Sequence, residues 1–172
     1  GPVHIPEAPQ RIDIGVDVAR YGDDSSVVCP VYDKAQQGEP DIYHHNNITE
    51  LSGHVVVLIK QQARKYLGAE IHVKVDCDGM GVGVYDILQE QQEAITEEIN
   101  KEWEAAGIEA PFVLELYECH FGGEGGTIGD VGDDPIEYEN STVLMWGSVR
   151  LALYEKRLKL WESDQQISQL SN

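Results

Sequence analysis

The sequence predicts an α/β fold: a mixed five-stranded sheet in the order 3-2-1-4-5, flanked by helices. Three observations lead there. Several short runs alternate apolar and polar residues with the period of two that marks a half-buried strand. The first three are separated only by turn-forming residues, as in hairpins. Between the third and fourth runs, and again between the fourth and fifth, apolar residues recur at helical spacing. A helix of that length between two strands returns the chain parallel to a strand already in the sheet, which sets the fourth strand beside the first.

Taken in order, residues 2–10 are proline-rich and read as a lead-in or linker, with Gly1-Pro2 resembling a protease-cleavage scar; the domain proper runs from 11 to 172. From Arg11 to Ala19, Ile12, Ile14, Val16 and Val18 face one way, and Asp13, Gly15 and Asp17 the other. Tyr21 to Ser25 is a turn, Ser26 to Tyr32 the second strand, and Asp33 to Pro40 a polar loop. Asp41 to Ile48 is a third, polar strand suited to an edge. Thr49 or Ser52 can cap a helix reaching about Leu67, with Leu51, Val55, Leu58, Ile59 and Tyr66 on one face and Gly68 as its stop.

Ile71 to Asp76 alternates again, with Ile71, Val73 and Val75 against His72, Lys74 and Asp76. A glycine-rich turn opens a helix over 82–106, its apolar side traced by Val84, Ile87, Leu88, Gln91, Ile95 and Ile99. Phe112 to Phe121 is the fifth strand. Gly122 to Pro135 is a glycine- and aspartate-rich loop. A helix over 140–157 follows, then a short extended piece over 158–161. Ser163 with Gln166 reads as a capping box opening another helix.

The length suits one domain with a sizeable core. The net charge is −19, from 31 acidic and 12 basic residues. Such charge repels nucleic acid at long range, so a role on DNA requires attraction from bound cations or from other parts of the protein. Cys29, Cys77 and Cys119 lack metal-type spacing and read as free buried thiols of a reducing compartment. His44-His45 is the only histidine cluster and reads as strand or turn surface. No run approaches the ~18 apolar residues of a membrane span, and no segment reads as a signal peptide.

The chemistry-bearing residues sit at two strand ends. Asp17 closes the first strand and Asp76 the fourth. With those strands adjacent and parallel, the two carboxylates meet at neighbouring carboxyl ends, where open α/β sheets bind ligands. Hard Mg²⁺ or Mn²⁺ prefers such oxygen donors. Two ions ~3.5–4 Å apart can activate a water and stabilise the leaving oxygen in phosphodiester hydrolysis. Asp17 would bridge both ions and Asp76 hold one, with Asp24 or Asp78 as a further ligand. Asp78 also fits as a turn residue, and Asp23 and Asp24 as hairpin formers. Gly79-Met80-Gly81-Val82-Gly83 suits close backbone approach of a phosphate to a helix N-terminus, and equally a tight strand-to-helix turn. Arg20 and Lys74 are near enough to hold a DNA phosphate, as are the Gly79 and Gly81 amides; Arg20 fits as well as a partner of Asp23 or Asp24.

The strand order resembles a ribonuclease-H-like fold. The motifs, in order, resemble the nuclease domain of the large terminase subunit of tailed bacteriophages. The resemblance lies in Gly15-Val16-Asp17-Val18-Ala19-Arg20 with Gly22-Asp23-Asp24, and in Val75-Asp76-Cys77-Asp78-Gly79-Met80-Gly81-Val82-Gly83-Val84-Tyr85-Asp86-Ile87-Leu88. It continues in Phe121-Gly122-Gly123, Tyr138-Glu139-Asn140-Ser141, Met145-Trp146, Leu158-Lys159-Leu160 and Gln169-Leu170-Ser171. It implies a metal-dependent endonuclease that cuts concatemeric double-stranded DNA during viral packaging, in the cytoplasm of an infected bacterium. Asp17 and Asp76 match the family's first two metal carboxylates. The partners implied are an N-terminal ATPase domain of the same subunit, the small terminase subunit and the portal. The family's third acidic ligand falls in a later segment, and the chain reaches Asn172 without it. The resemblance therefore implies a fragment truncated at both ends, with weak activity of its own. Two other readings stay open: a non-catalytic, nuclease-like docking module, and an ATP-binding domain of the actin and sugar-kinase type.

Overall fold

The computed structural model describes residues 8–19, 25–44, 47–120 and 146–147. Among the described residues from 8 to 120, six strands and two helices follow one another as β1 (Arg11–Asp17), β2 (Ser25–Tyr32), β3 (Gln36–Gln37), β4 (Asp41–His44), α1 (Ile48–Lys65), β5 (Glu70–Asp76), α2 (Gly81–Ala105) and β6 (Leu114–Cys119). They form an α/β fold around one open, mixed sheet. The path runs β3-β2-β1-β5-β6, with β4 also on β2. β1 pairs antiparallel with β2, while β1–β5 and β5–β6 are parallel. The crossover through α1 thus sets β5 beside β1.

Alternation gives the sheet two unlike faces. Ile12, Ile14 and Val16 of β1 and Ile71, Val73 and Val75 of β5 are buried in one core with Leu51, Val55 and Ile59 of α1 and Val84, Leu88, Ile95 and Ile99 of α2. Both helices therefore cover the same face. They also hold each other: Trp103 Nε1 donates to the Ala63 carbonyl at 3.0 Å, Arg64 grips Glu102, and Lys60 pairs with Glu98. The apolar stripe of α2 ends on Trp103, which sequence periodicity had not included, and passes by Gln91, which is exposed.

Several boundaries differ from those expected. The N-cap of α1 is Asn47, whose side chain accepts the Glu50 N–H at 2.8 Å. Ser52 instead donates to the Ile48 carbonyl from within the helix. The loop after β2 contains the two-residue β3, and β4 spans four residues. β6 begins at Leu114, with Phe112 already buried against Trp103. β3 and β4 share the outer edge of β2: Val31 and Tyr32 face β3, and Ser25 to Val28 face β4. Pro30 lies between these two ladders. It has no N–H to give, and its carbonyl accepts from Gly38 N–H at 2.8 Å. The elements expected over 122–135, 140–157, 158–161 and from Ser163 lie outside the described residues, apart from helical Trp146 and Gly147.

Glycines test this packing in opposite directions. A Cβ on Gly81 would come 1.7 Å from the Asp76 carbonyl oxygen, whereas one on Gly53, inside α1, would meet nothing within 4 Å. Gly81→Ala is expected to destabilise the fold by about 3 kcal/mol or more through overpacking. Gly53→Ala should stabilise it by about 0.5–1 kcal/mol through lost chain entropy. Urea denaturation midpoints at unchanged slope measure both; a neutral Gly81→Ala would mean that α2 does not abut β5 as described.

Candidate functional site

The site is built where β1 and β5 end together. Their parallel register runs from Arg11 opposite Glu70 to Val16 opposite Val75. Asp17 and Asp76 are the next residues on each strand and the last of each. They occupy equivalent positions on neighbouring strands, about 4.8 Å apart. Both point to the face away from the helical core, and both are half-buried.

Beyond Asp76 the chain turns at once. The Asp76 carboxylate Oδ1 accepts the Asp78 N–H at 3.0 Å, which opens the turn. Gly79 follows at φ +100°, a conformation few other residues adopt. Gly81 then brings the start of α2 against the last carbonyl of β5. Both glycines are thus explained by the tight strand-to-helix turn. No side chain caps α2 and its first turn holds no acidic residue, so the turn also leaves the helix start compatible with an anion.

Asp78 looks toward β6. Its Oδ1 lies 3.5 Å from His120 Nδ1, and His120 Nε2 is 2.9 Å from Glu118 Oε1. Held between two carboxylates, chiefly by the Glu118 hydrogen bond, the His120 imidazole is raised above its usual pKa of 6.5. Sequence reasoning missed His120. The available signal was its place one residue beyond Cys119, which pairs with Asp76.

Beneath the two strand-end carboxylates lies a buried charge cluster. Asp13 receives Arg11 Nε and Nη2 at 3.1 and 3.0 Å and Lys74 Nζ at 3.0 Å. Asp13 and Lys74 are both 0% exposed. Burial acts to raise the Asp13 carboxyl, yet the Arg11 and Lys74 contacts prevail and hold it below its ordinary 3.8. Lys74 also sits 5.6 Å from the Tyr117 ring centroid. The phosphate contact expected of Lys74 is at odds with its placement, because the side chain is fully buried and its ammonium is paired with Asp13. His72, on the same face, bonds Tyr117 Oη at 2.7 Å and Glu70 at 3.0 Å. Burial, then the Arg11 charge, lowers its pKa below 6.5.

Of the residues expected at the site, the structure brings Asp17, Asp76 and Asp78 to one end of the sheet. Arg20, Asp23 and Asp24 lie outside the described residues. Among the described residues, no group of three or more His, Cys, Asp or Glu is arranged to hold a metal ion. The Asp17 and Asp76 carboxylates, at equivalent ends of neighbouring strands, are the donor type that Mg²⁺ or Mn²⁺ accepts. No described helix is long and apolar enough to cross a membrane. No protein-family model matches the chain, and no curated protein matches it.

The two histidines should titrate on opposite sides of 6.5. In metal-free protein, the His72 ring is expected to protonate below that pH and His120 above it, followed by imidazole NMR. The stability signs follow. His72 binds protons less readily folded than unfolded, so it costs stability as pH falls below about 6.5; His120 favours the fold at low pH, and that contribution fades as pH rises through its raised pKa. The reverse order of midpoints would refute the burial of His72 and the bracketing of His120.

Proposed function

We propose that this chain is the divalent-metal-dependent nuclease domain of a viral DNA-packaging terminase, built on a ribonuclease-H-like sheet. One observation carries the reading: Asp17 and Asp76 end adjacent parallel strands in matching register, at the carboxyl edge of an open mixed sheet. The motifs that resemble the terminase nuclease centre on these same two residues. Asp17 and Asp76 would hold Mg²⁺ or Mn²⁺, with Asp78 turned to the same edge. Bound there, such ions supply a more acidic water and charge stabilisation for phosphodiester hydrolysis.

The chain's own residues prepare that edge. The buried Val16 and Val75 anchor the two strands up to the carboxylates. The Asp76–Asp78 turn fixes one carboxylate before α2 begins. Gly79 and Gly81 make the tight turn that sets the start of α2 against the end of β5, beside Asp76. Double-stranded DNA is the proposed substrate. The ATPase domain of the same subunit, the small terminase subunit and the portal are the proposed partners, in an infected bacterial cell. The net charge of −19 favours a second reading, a nuclease-like docking module without catalysis, because DNA affinity comes from Lys and Arg contacts that release counterions.

Plasmid nicking separates the two. At millimolar Mn²⁺ and low salt, slow nicking is expected from the 172-residue chain, and Asp17→Asn or Asp76→Asn should abolish it. Loss of a metal-bridging carboxylate should remove at least about 10³-fold of rate, or ~4 kcal/mol. Both variants should melt at or above the wild-type temperature in chelator, because two like charges no longer repel. A folded chain that binds no Mn²⁺ and cuts nothing supports the docking module. Nicking that persists in both variants removes Asp17 and Asp76 from the site.

A further inference from the structure

We propose that the buried Lys74–Asp13 pair tunes the cation affinity of the Asp17/Asp76 edge, with Lys74 lowering it and Asp13 raising it. The inference rests on the metal reading above and adds a role for two residues that do not touch the ion.

Placement is the first argument. Asp13, Gly15 and Asp17 alternate along one face of β1, and Lys74 and Asp76 along the same face of β5. Lys74 is the next same-face residue below Asp76, about 6–7 Å along the strand. Across from Lys74 in the register stands Gly15, which offers no side chain. The lysine reaches past it to Asp13 Oδ1 at 3.0 Å. A cation and an anion are thereby fixed on the floor of the carboxylate edge.

Burial is the second. Lys74 and Asp13 are both 0% exposed. Salt screens such charges weakly and the surrounding dielectric is low, so each acts on a divalent ion several ångströms away. A surface lysine at that distance would be masked.

The third argument is that the fold does not depend on this pair for its register. The opposite face of β1 and β5, with Ile12, Ile14, Val16, Ile71, Val73 and Val75 in the core, already specifies it. A buried ion pair is generally no more stabilising than well-packed apolar residues in its place. What apolar residues cannot supply is a field. Arg11 grips Asp13 through both guanidinium contacts independently of Lys74, so loss of the lysine leaves the carboxylate charged. Each substitution thus changes the field at the edge by one unit of charge, in opposite directions.

Calorimetric titration with Mn²⁺ alone tests this on the folded 172-residue chain. Lys74→Met should bind Mn²⁺ about three- to tenfold more tightly than wild type, and Asp13→Asn weaker by a similar factor, the scale of one charge at roughly 10 Å. Lys74→Arg and the double variant Asp13→Asn/Lys74→Met should both stay within about twofold of wild type. If Lys74→Met alone fails to fold, Asp13→Asn measured against the double variant carries the test, because restoring near wild-type affinity in the double requires the lysine to act on the ion. A purely structural pair would loosen the edge in either single variant, so weaker binding in both overturns the proposal, as does no shift in either. Mn²⁺ binding that is absent from wild type, or unchanged in Asp17→Asn, refutes the metal reading itself, and the proposal falls with it.

Discussion

The parallel pairing of β1 with β5 is the constraint on which the rest depends. Its register sets Val16 against Val75, and the strand-end aspartates follow from that. The register is held from the core side. Three β-branched residues on each strand are buried among α1 and α2, each worth roughly 1.5–3 kcal/mol when removed from water. A slip of one residue would turn all three of one strand outward and swing its aspartate into the apolar core. The position of two polar groups is thus enforced by the apolar residues that alternate with them.

The other face of the sheet is also buried, and there polar groups must find partners. Asp13 receives three donor contacts from two cations, and His72 bridges Tyr117 and Glu70. Toward the carboxyl end this network passes into a chain of contacts across β5 and β6, from the Asp76 carboxylate to the Asp78 N–H, then Asp78 to His120 and His120 to Glu118. The edge is therefore stiffened laterally as well as from below.

Strict alternation made β1, β5 and their two faces legible in the sequence, and with them the juxtaposition of Asp17 and Asp76. Other features left no such trace. β3 consists of two glutamines, too short to show a period. Asn47 was hidden because three other cap-forming residues, Asn46, Thr49 and Ser52, stand within five positions of it, and only backbone geometry selects among them. Trp103 escaped because the apolar stripe was stopped at Ile99, one turn short. Lys74 was misread for a deeper reason. A polar residue alternating with valines reads as solvent-facing, and nothing local reveals that this face is covered as well. His120 lay within a strand assigned too far toward its C-terminus, so its place beside Asp78 was invisible.

The divided outer edge of β2 has a consequence for how the molecule behaves in company. Open strand edges are templates on which other chains add, the first step toward domain swapping or fibrils. On this side, Pro30 splits the edge into a two-residue and a four-residue ladder, and β4 itself is half-exposed and carries Asp41 and His44 at its ends. A neighbouring chain would find only a short, interrupted, charge-bearing row of amides there. At the concentrations of a crowded assembly, that geometry discourages sheet-to-sheet accretion and leaves association to side-chain surfaces.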